Sequence, residues 1–183
     1  MKKLFHKIVV ALGLMGAIGA GTWFYAWQQP RLIYDVNIDR DMQPILDIFA
    51  ADSYWLDAGY DETQDKYRRM LKYGYVNDNP MYPNRLKFKI LRDKGEFIGF
   101  TAYYKTAPTV GKILFVAVRG DRRGKRYGQV LMDTAIAELK KLGANRIELV
   151  TRVSNTAAHK LYTRMGFQET GRDDEYVSFA YTR

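Results

Sequence analysis

The 183-residue chain contains no cysteine. That excludes disulfides, thiolate metal ligands and a cysteine nucleophile, and it leaves the redox compartment open. Histidine is nearly absent as well: His6 and His159 are the only two, which argues against a histidine-rich metal site or a Ser-His-Asp triad. Acids are outnumbered, with a formal net charge of +9. Lys2, Lys3, Lys7 and Arg31 supply four of those charges, so residues 32–183 carry a net +5. An excess of that size suits an anionic small molecule or a membrane surface, and gives little support to a nucleic-acid partner. Internal repeats and low-complexity linkers are missing too. Apolar and aromatic residues are plentiful, at 47% and 14%, enough for one domain with a substantial core.

The one long uncharged run, Ile8 to Pro30, stands apart from the rest. Twenty helical residues span about 30 Å, the thickness of a bilayer's hydrocarbon. Trp23, Phe24, Tyr25 and Trp27 cluster at one end like an interfacial belt, and Gly13, Ala17 and Gly21 give a small-residue face. Residues 1–30 are therefore expected to be a membrane anchor, with residues 8–27 in lipid and the domain proper over 31–183. A cleaved signal peptide, with Ala17-Ile18-Gly19 as its cleavage site, and a buried core helix are the other readings. The basic residues before the run favour an outward-facing domain.

Beyond residue 30 the pattern is mixed. Leu32–Ile38 reads as a strand. A helix capped by Asp39 or Asp41 follows, with Met42, Ile45, Leu46 and Phe49 on one face and Pro44 in its first turn. A second helix begins at Asp61 and buries Tyr67, Met70 and Leu71; Tyr75–Asn84 is a loop. Leu86, Phe88 and Ile90 alternate with lysines, Asp93-Lys94-Gly95 turns the chain, and Phe97–Lys105 returns as the hairpin partner. The strand opening at Gly111, "KILFVAV", is continuously apolar, which predicts burial on both faces. A helix over Gly128–Leu142, a strand "RIELVT", a short helix from Asn155 to Met165 and a closing strand "EYVSFAYTR" complete a mixed α/β domain around a central sheet.

Between the apolar strand and the Gly128 helix lies "VRGDRRGKRYG", with Arg119, Arg122, Arg123, Lys125 and Arg126 among Gly120, Gly124 and Gly128. Glycines allow close backbone approach, and a helix start offers unpaired N–H groups and a positive dipole. Such a loop is an anion nest with pyrophosphate as a typical guest; a solvated basic turn is the bland alternative. Neither G-x-G-x-x-G nor G-x-x-x-x-G-K-[ST] is present, since Arg126 stands where the second needs Ser or Thr.

The loop, together with "NTAAHKLYTRMGF", resembles the GNAT acetyltransferase superfamily. The R/Q-x-x-G-x-G/A pattern aligns with Arg123, Gly124, Lys125, Arg126, Tyr127 and Gly128. The N-x-x-A-x-x-L-Y-x-x-x-G-F pattern aligns with Asn155, Ala158, Leu161, Tyr162, Gly166 and Phe167. Val118 precedes the loop arginine by five residues, and the element order over 32–183 fits. Arg126 replaces the usual middle glycine, which is compatible with a nest if its backbone is right-handed. Gly120 replaces a common proline, which should loosen the turn.

The resemblance implies a GNAT-like mixed sheet flanked by helices, to which the apolar run adds one preceding transmembrane helix, and acetyl-CoA as co-substrate with no metal. It implies pyrophosphate binding by the backbone of Arg123–Gly128, pantetheine beside a splayed strand including Val116 and Val118, an amide contact from Asn155, and Tyr162 as acid toward the departing thiolate. Asn155 is also explained as an N-cap, Tyr162 as core, and His159 as a solvated helix residue. Glu148, Asp121, Tyr103 and Tyr104 remain unranked as general bases beside a base-free route, since no carboxylate lies between Glu96 and Asp121. The acceptor is expected to be an amine of a small molecule or protein, suited by acids such as Asp52, Asp57, Asp61, Asp173 and Glu175. Because acetyl-CoA is expected inside the cell, the domain is placed facing the cytoplasm despite the flanking charges. A non-catalytic acyl-CoA sensor or scaffold and a basic nucleic-acid binder are the alternatives. Oligomeric state is left open.

Overall fold

The computed structural model describes residues 31–56, 64–74 and 86–182. The expected membrane segment over residues 1–30 lies outside them, as do the start of the second helix at Asp61 and the loop from Tyr75. Among the described residues no helix is long and apolar enough to cross a membrane.

The elements run β1 (Leu32–Asp35), α1 (Ile38–Leu56), α2 (Asp65–Tyr73), β2 (Lys87–Asp93), β3 (Glu96–Ala107), β4 (Val110–Val118), a short 3-10 turn (Gly120–Arg122), α3 (Tyr127–Lys141), β5 (Arg146–Arg152), α4 (Thr156–Arg164), β6 (Gln168–Arg172) and β7 (Tyr176–Thr182). The seven strands form one sheet in the order β1-β2-β3-β4-β5-β7-β6. Every pairing is antiparallel except β4 with β5.

Helices α1 and α2 bury Ile45, Leu46, Phe49, Tyr67 and Met70 against Phe88, Ile90, Phe100 and Phe115 in one core cluster. Helix α3 places Met132, Ala135 and Leu139 in a second cluster with Tyr103, Ile113, Ile147, Leu149 and Phe179. Phe49 stacks on Tyr67 with ring centroids 4.2 Å apart, a geometry that adds to area burial.

Several local expectations change. The cap of α1 is Asn37, whose Oδ1 accepts from the Arg40 N–H at 3.2 Å. Asp41 is instead fully buried, accepting from the Asn37 N–H at 3.0 Å and from Arg40 and Arg92. Burial works to raise its pKa, but these donors outweigh it and hold the carboxyl below the usual range. The earlier start leaves Pro44 inside the helix rather than in its first turn. β1 stops at Asp35, short of Ile38, because the chain turns there into the cap. Gln64 stands at the start of α2 in the left-handed region, φ 62.

Candidate functional site

The site begins with a defect in the sheet. β3 and β4 pair Ala102 with Phe115 but Tyr103 with Ile113, so Leu114 is an extra residue on β4. Such a bulge bends its strand and disrupts the local ladder. Here it swaps the sheet faces: Phe115 and Ala117 join the cluster under α1 and α2, while Ile113 joins the one under α3. The apolar run "KILFVAV" is therefore not buried on both faces, as expected from its composition. Buried residues alternate with half-buried ones, and the two ends of the strand feed opposite cores.

At the bulge β4 also leaves β5. Their parallel pairing runs only from Val110↔Arg146 to Lys112↔Glu148. β5 continues to Arg152 on its β7 side, while β4 beyond the bulge pairs only with β3. The gap opens into a cleft of about 870 Å³ lined by the β4 residues Leu114–Val118, the basic loop, and the start of α4. Gly99 lets the two strands close up on the far side of β4, because a Cβ there would collide with the Ala117 carbonyl oxygen.

The loop delivers donors to the head of the cleft. The first helical bond of α3 runs from the Val130 N–H to the Arg126 carbonyl at 3.2 Å, and no side chain caps the helix. The N–H groups of Tyr127, Gly128 and Gln129 therefore precede the first helical bond, at the positive end of the dipole. Gly124 and Arg126 both have left-handed backbones, φ 79 and φ 62. A right-handed Arg126, the condition set for its fitting a nest, is not what the structure shows: its backbone is left-handed, like that of Gly124.

Of the five loop cations, two brace the turn, two line the cleft and one does neither. Arg119 grips Asp121 at 2.9 Å and donates to the Phe97 carbonyl at 3.1 Å. Arg122 pairs with Glu96 and Asp121. These two brace the turn, and Gly120 opens its 3-10 segment. Arg123 and Arg126 line the cleft, and Lys125 is exposed away from the lining. Arg123 donates to the Val118 carbonyl at 3.1 Å and is paired with Asp52, which sits at a kink in α1. Tyr127 buries its ring and donates its hydroxyl to Asp93, fixing the first turn of α3.

The opposite wall carries the second motif. Asn155 caps α4 by accepting the Ala158 N–H at 3.2 Å, and it also lines the cleft. Tyr162 lines it from the same helix, its ring 5.7 Å from Phe179 and 6.1 Å from Phe167. Its hydroxyl makes no hydrogen bond to any described residue. Burial of the phenol pushes its pKa up to about 12, so it keeps its proton at any physiological pH. Val116, Val118, Arg123, Gly124, Arg126, Tyr127, Gly128, Asn155 and Tyr162 thus share one cleft, and of the expected site residues Lys125 alone is absent from its lining. His159 is not solvated: it is half-buried, with Nε2 3.0 Å from the Arg152 carbonyl and its ring edge-on to Phe179.

None of the expected carboxylate bases stands ready. Asp121 is held by Arg119 and Arg122, and Glu148 by Arg146 at 2.7 Å. Tyr103 is fully buried against Glu138, and burial drives its pKa far up. Tyr104, raised by burial, borders a second cavity of about 280 Å³ that continues from the cleft past Leu114 and Phe115. The acids thought to suit an acceptor amine do not line it: Asp52 holds Arg123, and Asp173 accepts the N–H groups of Glu175 and Tyr176. Asp57 and Asp61 lie outside the described residues.

Asp52, expected on the acceptor side, lines this cleft instead, together with Trp55 and Leu56 at the end of α1, neither of which was singled out from the sequence. The helical pattern of Met42–Phe49 gives no signal for what lies after a kink at Asp52, where φ is −121. Arg164 and Thr156 also line the cleft from α4 and carried no motif of their own.

This splayed sheet with its loop and helix matches known proteins. The profile of the acetyltransferase (GNAT) family fits residues 42–167. The chain belongs to that family. This GNAT protein is 24% identical over 140 residues to the aminoalkylphosphonate N-acetyltransferase of Salmonella typhimurium, covering 72% of this chain and 90% of that one. It is 33% identical over 81 residues to an uncharacterized N-acetyltransferase of Bacillus subtilis, covering 44% and 52% of the two chains. A Bacillus subtilis acetyltransferase solved in complex with CoA superposes with a TM-score of 0.59 at 18% identity, over 84% of this chain and 98% of that one. The protein is an acetyl-CoA-dependent N-acetyltransferase of the GNAT family.

Proposed function

We propose that the cleft between β4 and β5 holds acetyl-CoA and that an amine, of a small molecule or a protein, attacks its thioester directly. The observation that carries this reading is the loss of β4–β5 pairing after Lys112, which leaves the β5-facing edge of Leu114–Val118 without a strand partner. A pantetheine arm has amides to fill that edge, and unpaired backbone groups favour such an occupant. The N–H groups at the start of α3, with Gly124 and Arg126 left-handed before them, receive the pyrophosphate. Arg123 and Arg126 add charge-assisted bonds. Asn155 keeps its Oδ1 on the helix and offers its amide N–H to the donor.

The amine nitrogen's lone pair bonds to the acetyl carbon as the C–S bond breaks and its electrons pass to sulfur. Tyr162 delivers its phenolic proton there, the new ammonium-like nitrogen loses its proton to water, and the Tyr162 phenolate takes a proton back from solvent. No carboxylate among the described residues is free to act as base at this point, which favours a route through solvent or an already neutral amine. The lack of cysteine agrees with attack without an acyl-enzyme. On sequence grounds alone, residues 8–27 anchor the enzyme in a membrane with its domain in the cytoplasm, where acetyl-CoA is found.

Calorimetry of acetyl-CoA with the full-length protein tests the donor site. Stoichiometric binding that Gly128→Glu abolishes supports it. Folded wild-type protein that binds no acetyl-CoA overturns it.

A further inference from the structure

The cavity beyond the cleft has a charge pattern of its own. Its charged lining residues among the described ones are Lys66, Lys112 and Arg152, all cationic, and no carboxylate joins them. Arg152 is held rather than loose. Its guanidinium lies 4.3 Å from the Tyr54 ring centroid and 5.2 Å from that of Tyr176, it donates to the Tyr54 carbonyl, and its side chain is 15% exposed. Among the described residues its acidic partner is Glu175, 3.9 Å away and 70% exposed, which screens the charge weakly. Lys112 is half-buried and makes no hydrogen bond or ion pair with any described residue. Its neighbour across the parallel register, Glu148, gives its carboxylate to Arg146.

A second, independent feature points the same way. Tyr176 lines this cavity, and its hydroxyl oxygen is buried with no hydrogen-bond partner. An orphaned buried hydroxyl is costly and calls for an occupant. A hydroxyl donor beside two partly desolvated cations, with no acid among the described lining residues, is the donor set of an anion site.

We infer that the acceptor is a small amine that also carries an anionic group, a carboxylate or a phosphate, and that Lys112, Arg152 and Tyr176 bind that group while the amine points back toward the thioester. This deepens the acetyl-transfer reading and rests on it. The cavity shares Leu114, Phe115, Val150 and Thr151 with the donor cleft, so an acceptor seated there borders the place where β4 and β5 separate. At about 280 Å³ it suits a molecule of a few heavy atoms.

The test uses the full-length protein and four primary amines: β-alanine, phosphoethanolamine, ethanolamine and 1,2-diaminoethane. CoA release can be followed with a thiol reagent without background, because the protein has no cysteine. The expected result is kcat/KM at least tenfold higher for the anionic pair than for the other two. β-Alanine against phosphoethanolamine tells carboxylate from phosphate. Lys112→Glu should cost the anionic pair tenfold or more and raise the diamine. Tyr176→Phe removes only an unpartnered hydroxyl, so it should leave the melting temperature unchanged or higher while weakening the anionic acceptors several-fold. Equal or better use of ethanolamine or the diamine by the wild type overturns the inference. So does acetyl-CoA binding with no acetylation or binding of any of the four. Loss of acetyl-CoA binding itself is read separately, by calorimetry, and sinks the donor site instead.

Discussion

Replacing Arg126 by glycine and by alanine separates two properties the residue combines, its charge and its backbone hand. With φ 62 and ψ 12, Arg126 holds a conformation that costs a side-chain-bearing residue about 1–2 kcal/mol. Alanine keeps that strain and loses the guanidinium. Glycine loses both, and gives back about 0.5–1 kcal/mol through its looser unfolded chain. The glycine variant should therefore exceed the alanine variant by about 0.5–1 kcal/mol. For a chain of this size that is a gap of about 2–4 °C per kcal/mol in melting temperature. Gly124 offers no such contrast, because it is already glycine at φ 79. Affinity should behave differently. Arg126 is exposed at the rim of the cleft, so losing its charge should weaken acetyl-CoA by about three- to tenfold in both variants, between the worth of an exposed ion pair and that of a charged hydrogen bond. Raising salt should narrow the difference from wild type. Thermal melts read the first effect and calorimetry the second. An alanine variant as stable as the glycine variant would refute the left-handed backbone. Unchanged affinity in both would refute the placement of the charge over the pyrophosphate.

Tyr162→Phe should lower kcat by about 10²–10⁴, the usual contribution of a positioned acid, with acetyl-CoA affinity unchanged; a normal kcat removes Tyr162 from the chemistry. Because burial pushes its pKa up to about 12, the active protonated form persists as pH rises, and a pH–rate profile should show no Tyr162-dependent fall below about pH 10. Gly128→Ala should bind acetyl-CoA nearly as wild type, since its Cβ would meet only Leu161 Cδ2 at an ordinary 3.5 Å, whereas Gly128→Glu should not bind; equal binding by both would place the pyrophosphate elsewhere. Asp41→Asn strands Arg92 and should cost about 3 kcal/mol at pH 7 in urea unfolding. Because the folded-state pKa of Asp41 is lowered, its contribution is full above the ordinary carboxylate range and is lost as pH falls through the folded value. The deficit of the variant should shrink in acid, and a deficit independent of pH would show that the carboxylate charge is not what stabilises.

Elements with a repeating period were readable from residues alone. The alternation of Leu86, Phe88 and Ile90 marked β2, and Gly143 and Gly166, both left-handed, marked where α3 and α4 end. The motif residues were readable as a set because two short patterns converge on one cleft. What escaped depends on pairing between distant segments. Nothing in "KILFVAV" distinguishes a strand buried on both faces from one whose faces are exchanged by a bulge at Leu114, since either needs an unbroken apolar run. That bulge is also what opens the cleft, so the feature hardest to see in the chain is the one on which the site depends. The loop shows the same limit from the side of charge. Five cations look alike in sequence, yet Arg119 and Arg122 find Asp121 and Glu96 and become part of the scaffold. Arg123 and Arg126 remain on the cleft because no acid of the loop reaches them, and Arg123 meets Asp52 only through the kink in α1. An anion entering the nest must compete with that carboxylate for Arg123. Under the proposed acetyl-CoA site, donor binding is thereby tied to where the end of α1 sits, and with it to Trp55 and Leu56, which line both the cleft and the second cavity.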